Sequence, residues 1–385
     1  PRDQTSEARR GGGHTLTPAQ LDGKSELARS TAGRVELGVH GTFEVPQDWW
    51  RLGGPRSSAA AFPEAAPAWG CSTKMAAYRS SQRRSDAGRR DFSINALYFD
   101  PVKSELIDYV GGVEDVKKRV LRVIGIPKER FAEDPVRMLR AVRFAARLSL
   151  SIDRKIASVM SDAAPLLRNA PPARLLDEVI KLFHCGYSHR AFHQLQKFDL
   201  FPQLFPDSVR AHTKVDLDPK NGLLTLAFKN TDQRLADGKS LNTSFLFAVI
   251  MWRSVIVESG FNRDRGMPMA EALHQATSSV IDRQRSRLMV PRRMATTISD
   301  MWNLQRWLEQ RRPRLMVKTL AHRRFRASYD LLMLRVAAGE VDTDIGSWWT
   351  EIQGRDARGR KKMISQLPNQ KRRRKSRASQ RLQKR

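Results

Sequence analysis

From Pro127 to about residue 337, apolar residues recur at helical spacing and prolines stand almost only between the runs. Val136, Leu139, Val142, Ala146 and Leu148 set the pattern, at the three- and four-residue steps that bring side chains to one face of a helix. Further helices are expected around 155–167, 173–184, 189–198, 222–235, 241–257, 269–285, 294–311 and 318–337. Pro171-Pro172, Pro202, Pro206, Pro219, Pro291 and Pro313 mark their limits. Such a chain can fold only as an extended all-helical body. What precedes it is different in kind.

Phe92 to Phe99 is apolar-rich with aromatic ends and is stopped by Asp100-Pro101, which predicts a strand. Glu105 to Val110, closed by Gly111-Gly112, predicts a second, and Val120 to Ile124 a third. Upstream the pattern fails. Residues 1–88 hold 17 of the 42 glycines and prolines, and alternation is confined to Val35 through His40. That composition reads as loop or disorder. The fold class is therefore α+β: a small α/β head followed by helices.

Charge narrows the function. Sixty-nine Lys and Arg against 40 acids give a formal +29, which points to a polyanion, most simply nucleic acid. Fourteen of the cations lie between Arg355 and Arg385, where Asp356 is the one acid. This segment has too few apolar residues to offset ordering entropy and reads as a disordered tail. Lys371, Arg372, Arg373, Arg374 and Lys375 would hold RNA phosphates there with strong salt dependence. Two cysteines, Cys71 and Cys185, exclude a disulfide framework and a cysteine zinc site. No apolar run approaches a membrane span and no signal-peptide stretch opens the chain. The expectation is a cytoplasmic protein with no membrane partner.

Two motifs carry chemistry. In Arg89-Arg90-Asp91-Phe92-Ser93-Ile94-Asn95, a carboxylate between guanidinium groups is suited to phosphate and metal work. On a strand, Asn95 would share a face with Asp91. The same residues also read as a salt-bridge cluster heading an edge strand. In Glu133-Asp134-Pro135-Val136-Arg137-Met138-Leu139-Arg140, Asp134 and Pro135 form a helix start. Asp134 and Arg137, three apart, pair an acceptor with a donor and can match the edge of a nucleobase. The alternative is an N-cap aspartate, a dipole-compensating Glu133 and a solvated basic face.

Together the motifs RRDFSINAL and EDPVRMLRAVRFAA resemble the class II nucleotidyltransferases, the bacterial poly(A) polymerases and CCA-adding enzymes. Pro171-Pro172-Ala173-Arg174-Leu175, Phe201 to Pro206, Lys229 to Asp232, Phe245 to Ala248, Met301 to Gln305 and Arg324 to Leu332 are similar to the poly(A) polymerase branch. The resemblance implies a nucleotidyltransferase head and an elongated helical neck, body and tail. It implies template-independent addition of AMP from ATP to RNA 3′ ends with Mg²⁺ as cofactor, by a monomer, with RNA-decay proteins as further partners. Asp91 would be the catalytic, metal-binding carboxylate, with Arg90 and Asn95 beside the nucleotide. Asp134 and Arg137 would read the base, with Arg140 near the triphosphate. The implied domains are a head remnant at 86–126, a neck at 127–215, an arginine-rich domain at 216–350 and a basic tail at 351–385. CCA addition, and an RNA-binding relative without catalysis, are the alternatives.

The family's head also carries an Asp-x-Asp pair, which holds two metal ions for phosphoryl transfer. Between Pro1 and Gly88 no Asp-x-Asp occurs, and Gly53-Gly54-Pro55-Arg56 is the nearest Gly-Gly loop. Residues 1–85 are therefore left unassigned, either disordered or translated out of frame: Trp49-Trp50 requires TGG-TGG, which read one base later gives Gly-Gly. His189 and His193 are expected to be ordinary helix residues, since no zinc-protease carboxylate lies between them. Trp252, Trp302, Trp307, Trp348 and Trp349 are expected in the core. Arg292-Arg293, Arg311-Arg312 and Arg323-Arg324 could extend an RNA groove along the helical body, and single solvated charges explain any one of them equally well.

Overall fold

The computed structural model describes residues 82–100, 105–211, 218 and 221–367, together with the backbone of two short strands, β1 (Arg34–Glu36) and β2 (Thr42–Glu44). These two pair antiparallel, with Val35 opposite Phe43. The remainder of 1–81, with Gly53 to Arg56 and the out-of-frame reading, lies outside the described residues, as do Lys371 to Lys375. The chain divides into two units, 1–118 and 119–385.

In the first unit a helix over 82–89 (α1) leads to β3 (Leu97–Asp100), which pairs antiparallel with β4 (Glu105–Asp108), Tyr98 opposite Ile107. Helix α2 (Gly112–Lys117) follows. The predicted strand over 92–99 begins later than expected. Ser93–Asn95 is a turn of 3₁₀ helix, closed by hydrogen bonds from the Asn95 amide to the Phe92 carbonyl (2.9 Å) and from Ala96 to Ser93 (3.1 Å). Helix α2 explains the tightness of this turn. A Cβ on Gly112 would stand 2.4 Å from the Ser93 carbonyl oxygen, so only glycine allows the approach.

The second unit is helical apart from β5 (Val120–Leu121) and β6 (Ser151–Ile152), which pair in parallel. Its first helices are α3 (Pro127–Glu133), α4 (Val136–Leu148), α5 (Arg154–Ala163), α6 (Pro172–Phe183) and α7 (Ser188–Lys197). Then come α8 (Leu200–Leu204), α9 (Pro206–Ala211), α10 (Leu223–Ala236), α11 (Thr243–Asp264), α12 (Met269–Leu288) and α13 (Arg292–Gln310). The last are α14 (Met316–Leu320), α15 (Phe325–Ala337), α16 (Thr343–Gly354) and α17 (Ala357–Ser365). Prolines open or immediately precede many of them, since the missing N–H is one that a helix start leaves unbonded. The expected helix over 318–337 is two helices. His322 separates them, its Nδ1 accepting the Arg324 amide and its carbonyl accepting the Phe325 amide. Helix α17, capped by the Asp356 carboxylate on the Gly359 amide, occupies part of the stretch read as a disordered tail.

Helix α11 corrects a second expectation. By length and composition it could cross a membrane, with mean hydropathy 1.4 over its most apolar window. It is instead a core helix: Leu246 through Trp252 are all buried, and the Ala248 carbonyl accepts the buried Trp302 indole N–H (3.0 Å). Trp252, Trp302 and Trp349 are core residues as expected, while Trp307 and Trp348 are half-buried. Arg335 lies in this core at 6% exposure. It donates to Gln305, Glu309 and Glu340, and its guanidinium stands 4.4 Å from the Trp252 ring centroid. Trp252 donates to the same Glu340 carboxylate, so charge and rings are satisfied together.

Candidate nucleotide site and RNA surface

In the first unit α1 carries Asp86 one turn ahead of Arg90. Nε and Nη2 of Arg90 donate to Asp86 Oδ2 at 3.1 and 2.8 Å, and the Tyr98 hydroxyl on β3 donates to the same oxygen at 2.7 Å. The Tyr98 hydroxyl first, and then Arg90, hold the Asp86 carboxyl below its ordinary range against a counteracting burial. Burial, and then the facing carboxylate, push the Tyr98 phenol up. Asp91 is half-buried and precedes the fully buried Phe92. Because Ser93–Asn95 is a 3₁₀ turn, the expected strand face shared by Asp91 and Asn95 does not form. Asp108 closes the loop before α2, accepting the amides of Val110, Gly111 and Val113 at 2.9–3.0 Å. Burial opposes ionisation of its carboxyl, and these amides outweigh it and hold the group low.

In the second unit Asp134 is the extended residue between α3 and α4, and Pro135 already has helical angles. Asp134 Oδ1 accepts the Val136 amide (3.2 Å), which satisfies a free donor of the helix start as the sequence predicts. Its Oδ2 accepts from Arg174 Nη2 (2.8 Å) on α6. The Arg137 amide donates to the Asp134 carbonyl at 3.1 Å, so the two residues are adjacent in the backbone. The Arg137 guanidinium donates to Glu133 Oε2 (2.8 Å) and to the Arg130 carbonyl (2.7 Å). Glu133 thus bridges Arg130 and Arg137, and these cations, Arg137 first, lower its pKa. One turn on, Arg140 Nε lies 3.7 Å from Glu178 Oε1. Glu178 also faces Arg143 (3.3 Å) and Lys181 (3.2 Å) while only 5% exposed.

Arg174 and Glu178 escaped the sequence reading as site residues. Both lie on α6, four residues apart and on one face. A signal was present. Leu175, Val179 and Leu182 form the buried stripe of α6, and Glu178 interrupts it. A carboxylate on an apolar stripe needs buried cations opposite it.

His189 and His193 face each other on α7 with Nε2 atoms 3.1 Å apart. Asp232 fixes the start of that helix, accepting the amides of Ser188 (2.6 Å) and His189 (3.0 Å). Among the described residues no three His, Cys, Asp or Glu side chains stand together as a metal site. Asp91 is a single carboxylate, and that of Asp86 is engaged by Arg90 and Tyr98. The described residues do not form the paired-carboxylate Mg²⁺ centre.

Comparison with known proteins places these pieces. The family model described as "Poly A polymerase head domain" matches residues 64–122. "Probable RNA and SrmB- binding site of polymerase A" matches 149–210, and "Polymerase A arginine-rich C-terminus" matches 265–382. Poly(A) polymerase I of Salmonella typhimurium is 37% identical over 286 residues, 73% of this chain and 61% of that protein. The chain thus spans about three fifths of the relative's length. A CCA-adding enzyme of Lactobacillus helveticus is 34% identical over 37% of this chain and 33% of its own. A solved structure titled "Structure of tRNA-processing enzyme complex 3" has the same fold, with TM-score 0.50 and 22% identity over 75% of this chain and 70% of that one. With head, RNA-binding and arginine-rich segments matched in that order, the chain belongs to the poly(A) polymerase family of nucleotidyltransferases.

Proposed function

We propose that this chain is the nucleotide- and RNA-handling part of a polynucleotide adenylyltransferase that adds AMP from ATP to RNA 3′ ends without a template. One observation carries the reading: likeness to poly(A) polymerase I runs over 73% of the chain, against 37% for the CCA-adding enzyme of Lactobacillus helveticus. Asp134 and Arg137 read the base. The carboxylate accepts from the adenine amino group and the guanidinium donates to a ring nitrogen. Arg174 and the Val136 amide hold the Asp134 carboxylate oriented, so that it is set before the nucleotide arrives. Arg140, leaning on Glu178, faces the triphosphate. In the head, 86–126, Asp91 is the active-site carboxylate and metal ligand, with Arg90 and Asn95 beside the nucleotide. The neck, 127–215, and the arginine-rich domain, 216–350, carry the RNA, and the tail, 351–385, adds non-specific phosphate affinity through Lys371 to Lys375. The protein acts as a cytoplasmic monomer with RNA-decay proteins as partners; Mg²⁺ would be held by Asp91 and would supply electrophilic assistance to phosphoryl transfer.

Primer extension tests this. The expected result is ATP-dependent lengthening of an RNA primer, lost in Asp91→Ala. Preferential CTP incorporation on a tRNA lacking its terminal CA would overturn the substrate assignment. A second reading, an RNA-binding relative without catalysis, is favoured by the absence of an Asp-x-Asp in residues 1–88. It predicts salt-sensitive RNA binding with no extension at any Mg²⁺ concentration.

A further inference from the structure

Many of the arginines described above face a carboxylate, whereas Arg287 and Arg168 do not. Arg287, near the end of α12, is half-buried, and its Nε donates to the Gln203 backbone carbonyl at the end of α8. Arg168, exposed in the 3₁₀ segment after α5, donates from Nε to the side-chain oxygen of the same Gln203 at 2.8 Å. One glutamine therefore gathers two guanidinium groups by their Nε edges. Among the described residues no carboxylate lies within 4 Å of either, and Arg287 Nη2 is buried without a hydrogen-bond partner. Neighbouring cations contrast with this. Arg283, one turn earlier on α12, is neutralised by Asp207 and by Glu258, and Arg285 faces Asp282.

Two cations brought together around a neutral amide repel each other, and an orphaned buried donor costs free energy comparable to a lost hydrogen bond. Burial first, and the Arg168 charge second, depress Arg287 from its ordinary value, consistent with two like charges held close. Capping the α8 carbonyls accounts for one N–H of Arg287, and Gln284 caps the next carbonyl, Leu204, at 3.0 Å. It does not account for Arg168 or for Nη2. An oxyanion of tetrahedral geometry satisfies the exposed Arg168 guanidinium and offsets the Arg287 charge behind it, because guanidinium groups bind phosphate oxygens through paired N–H donors.

We infer that Arg168, Arg287 and Gln203 form a subsite for one backbone phosphate of single-stranded RNA, joining the segment matched as RNA-binding to the arginine-rich segment. The inference rests on the RNA-handling reading above and adds the residues that grip the strand.

The test is the salt dependence of binding of a short labelled oligoadenylate to the full chain, between about 50 and 200 mM salt. Arg168→Gln is expected to lower the slope of log K against log salt by about 0.7, one phosphate on a single strand. Affinity should fall about fivefold at 0.1 M salt, with an unchanged melting temperature because Arg168 is exposed. Arg168→Lys should restore the slope. Arg287→Gln combined with Arg168→Gln should lower it no further, since both serve one phosphate. Arg285→Gln removes the same charge and should leave the slope as it was. An unaltered slope in Arg168→Gln, or an equal fall in Arg285→Gln, would overturn the subsite. If the wild-type chain shows no salt-dependent binding, the RNA reading itself fails. The subsite then stands only if inorganic phosphate raises the melting temperature of wild type and not of Arg168→Gln, and otherwise falls with it.

Discussion

The head motif and the helix motif hold their charged groups in different ways. Around Asp91 the described contacts are local: Asp86 takes Arg90 four residues later and Tyr98 twelve residues later. Around Asp134 they are distant: Arg174 arrives from 40 residues away, and Glu178 reaches back to Arg140 and Arg143. The first arrangement joins a helix end to a neighbouring strand. The second exists only once α6 has packed on α4. A short-range cluster survives local rearrangement, while a long-range one stands or falls with its core.

The contrast can be broken by substitution. Glu178→Gln leaves Arg140, Arg143 and Lys181 without their buried counter-charge and is expected to cost about 3 kcal/mol, read from denaturant unfolding. If it costs no more than a change at Asp86, the distinction fails. Gly112→Ala tests the rigid contact in the head, where its Cβ would meet the Ser93 carbonyl oxygen at 2.4 Å. A loss of about 2 kcal/mol is expected, confined to the first unit.

A smaller effect falls on function. Asp134→Asn removes the charge that Arg174 orients and should weaken ATP binding about tenfold with stability nearly kept. Equal weakening toward ATP, CTP and GTP would count against base reading. The smallest effect is at Asp86. Its pair with Arg90 is about 40% exposed on both sides, so solvent screens it and Asp86→Asn should cost under about 1 kcal/mol. The folded carboxyl is held below its unfolded value, so this contribution is complete above about pH 4 and disappears as pH falls through the folded pKa. The stability difference between wild type and variant should vanish in acid. A difference that grows there would reverse the sign.

The same division explains what could be read from the sequence. Helical period and proline placement located α4 to α7, α10, α12 and α13 to within a few residues, because both act over a single turn, while α11 runs on to Asp264, past the expected end at 257. The helix start at Asp134 was legible for that reason. The 3₁₀ turn at Ser93–Asn95 was not, since apolar composition resembles a strand and the cause, Gly112 pressed on the Ser93 carbonyl, lies 19 residues on. Helix α17 was missed where basic composition outweighed its capping Asp356, and α16 was missed although Asp342 caps it. Arg174 stood in a quoted motif, but its partner could be known only from the packing of two helices. Gln203, which gathers Arg168 and Arg287, carries no charge and left no trace in the pattern.

Arg335 bears on how this protein could be dissected. The arginine-rich match begins at residue 265. Trp252 nevertheless donates to Glu340 and lies against the Arg335 guanidinium, and Trp302 donates to Ala248. The border between matched segments is thus not a mechanical seam. An excised fragment starting at 265 would keep Arg335 paired with Glu309 and Glu340 but strip the Trp252 ring from its guanidinium and leave the buried Trp302 indole without its Ala248 acceptor. Proteolysis or truncation at that point should yield an insoluble piece, and heating should melt both sides in a single transition.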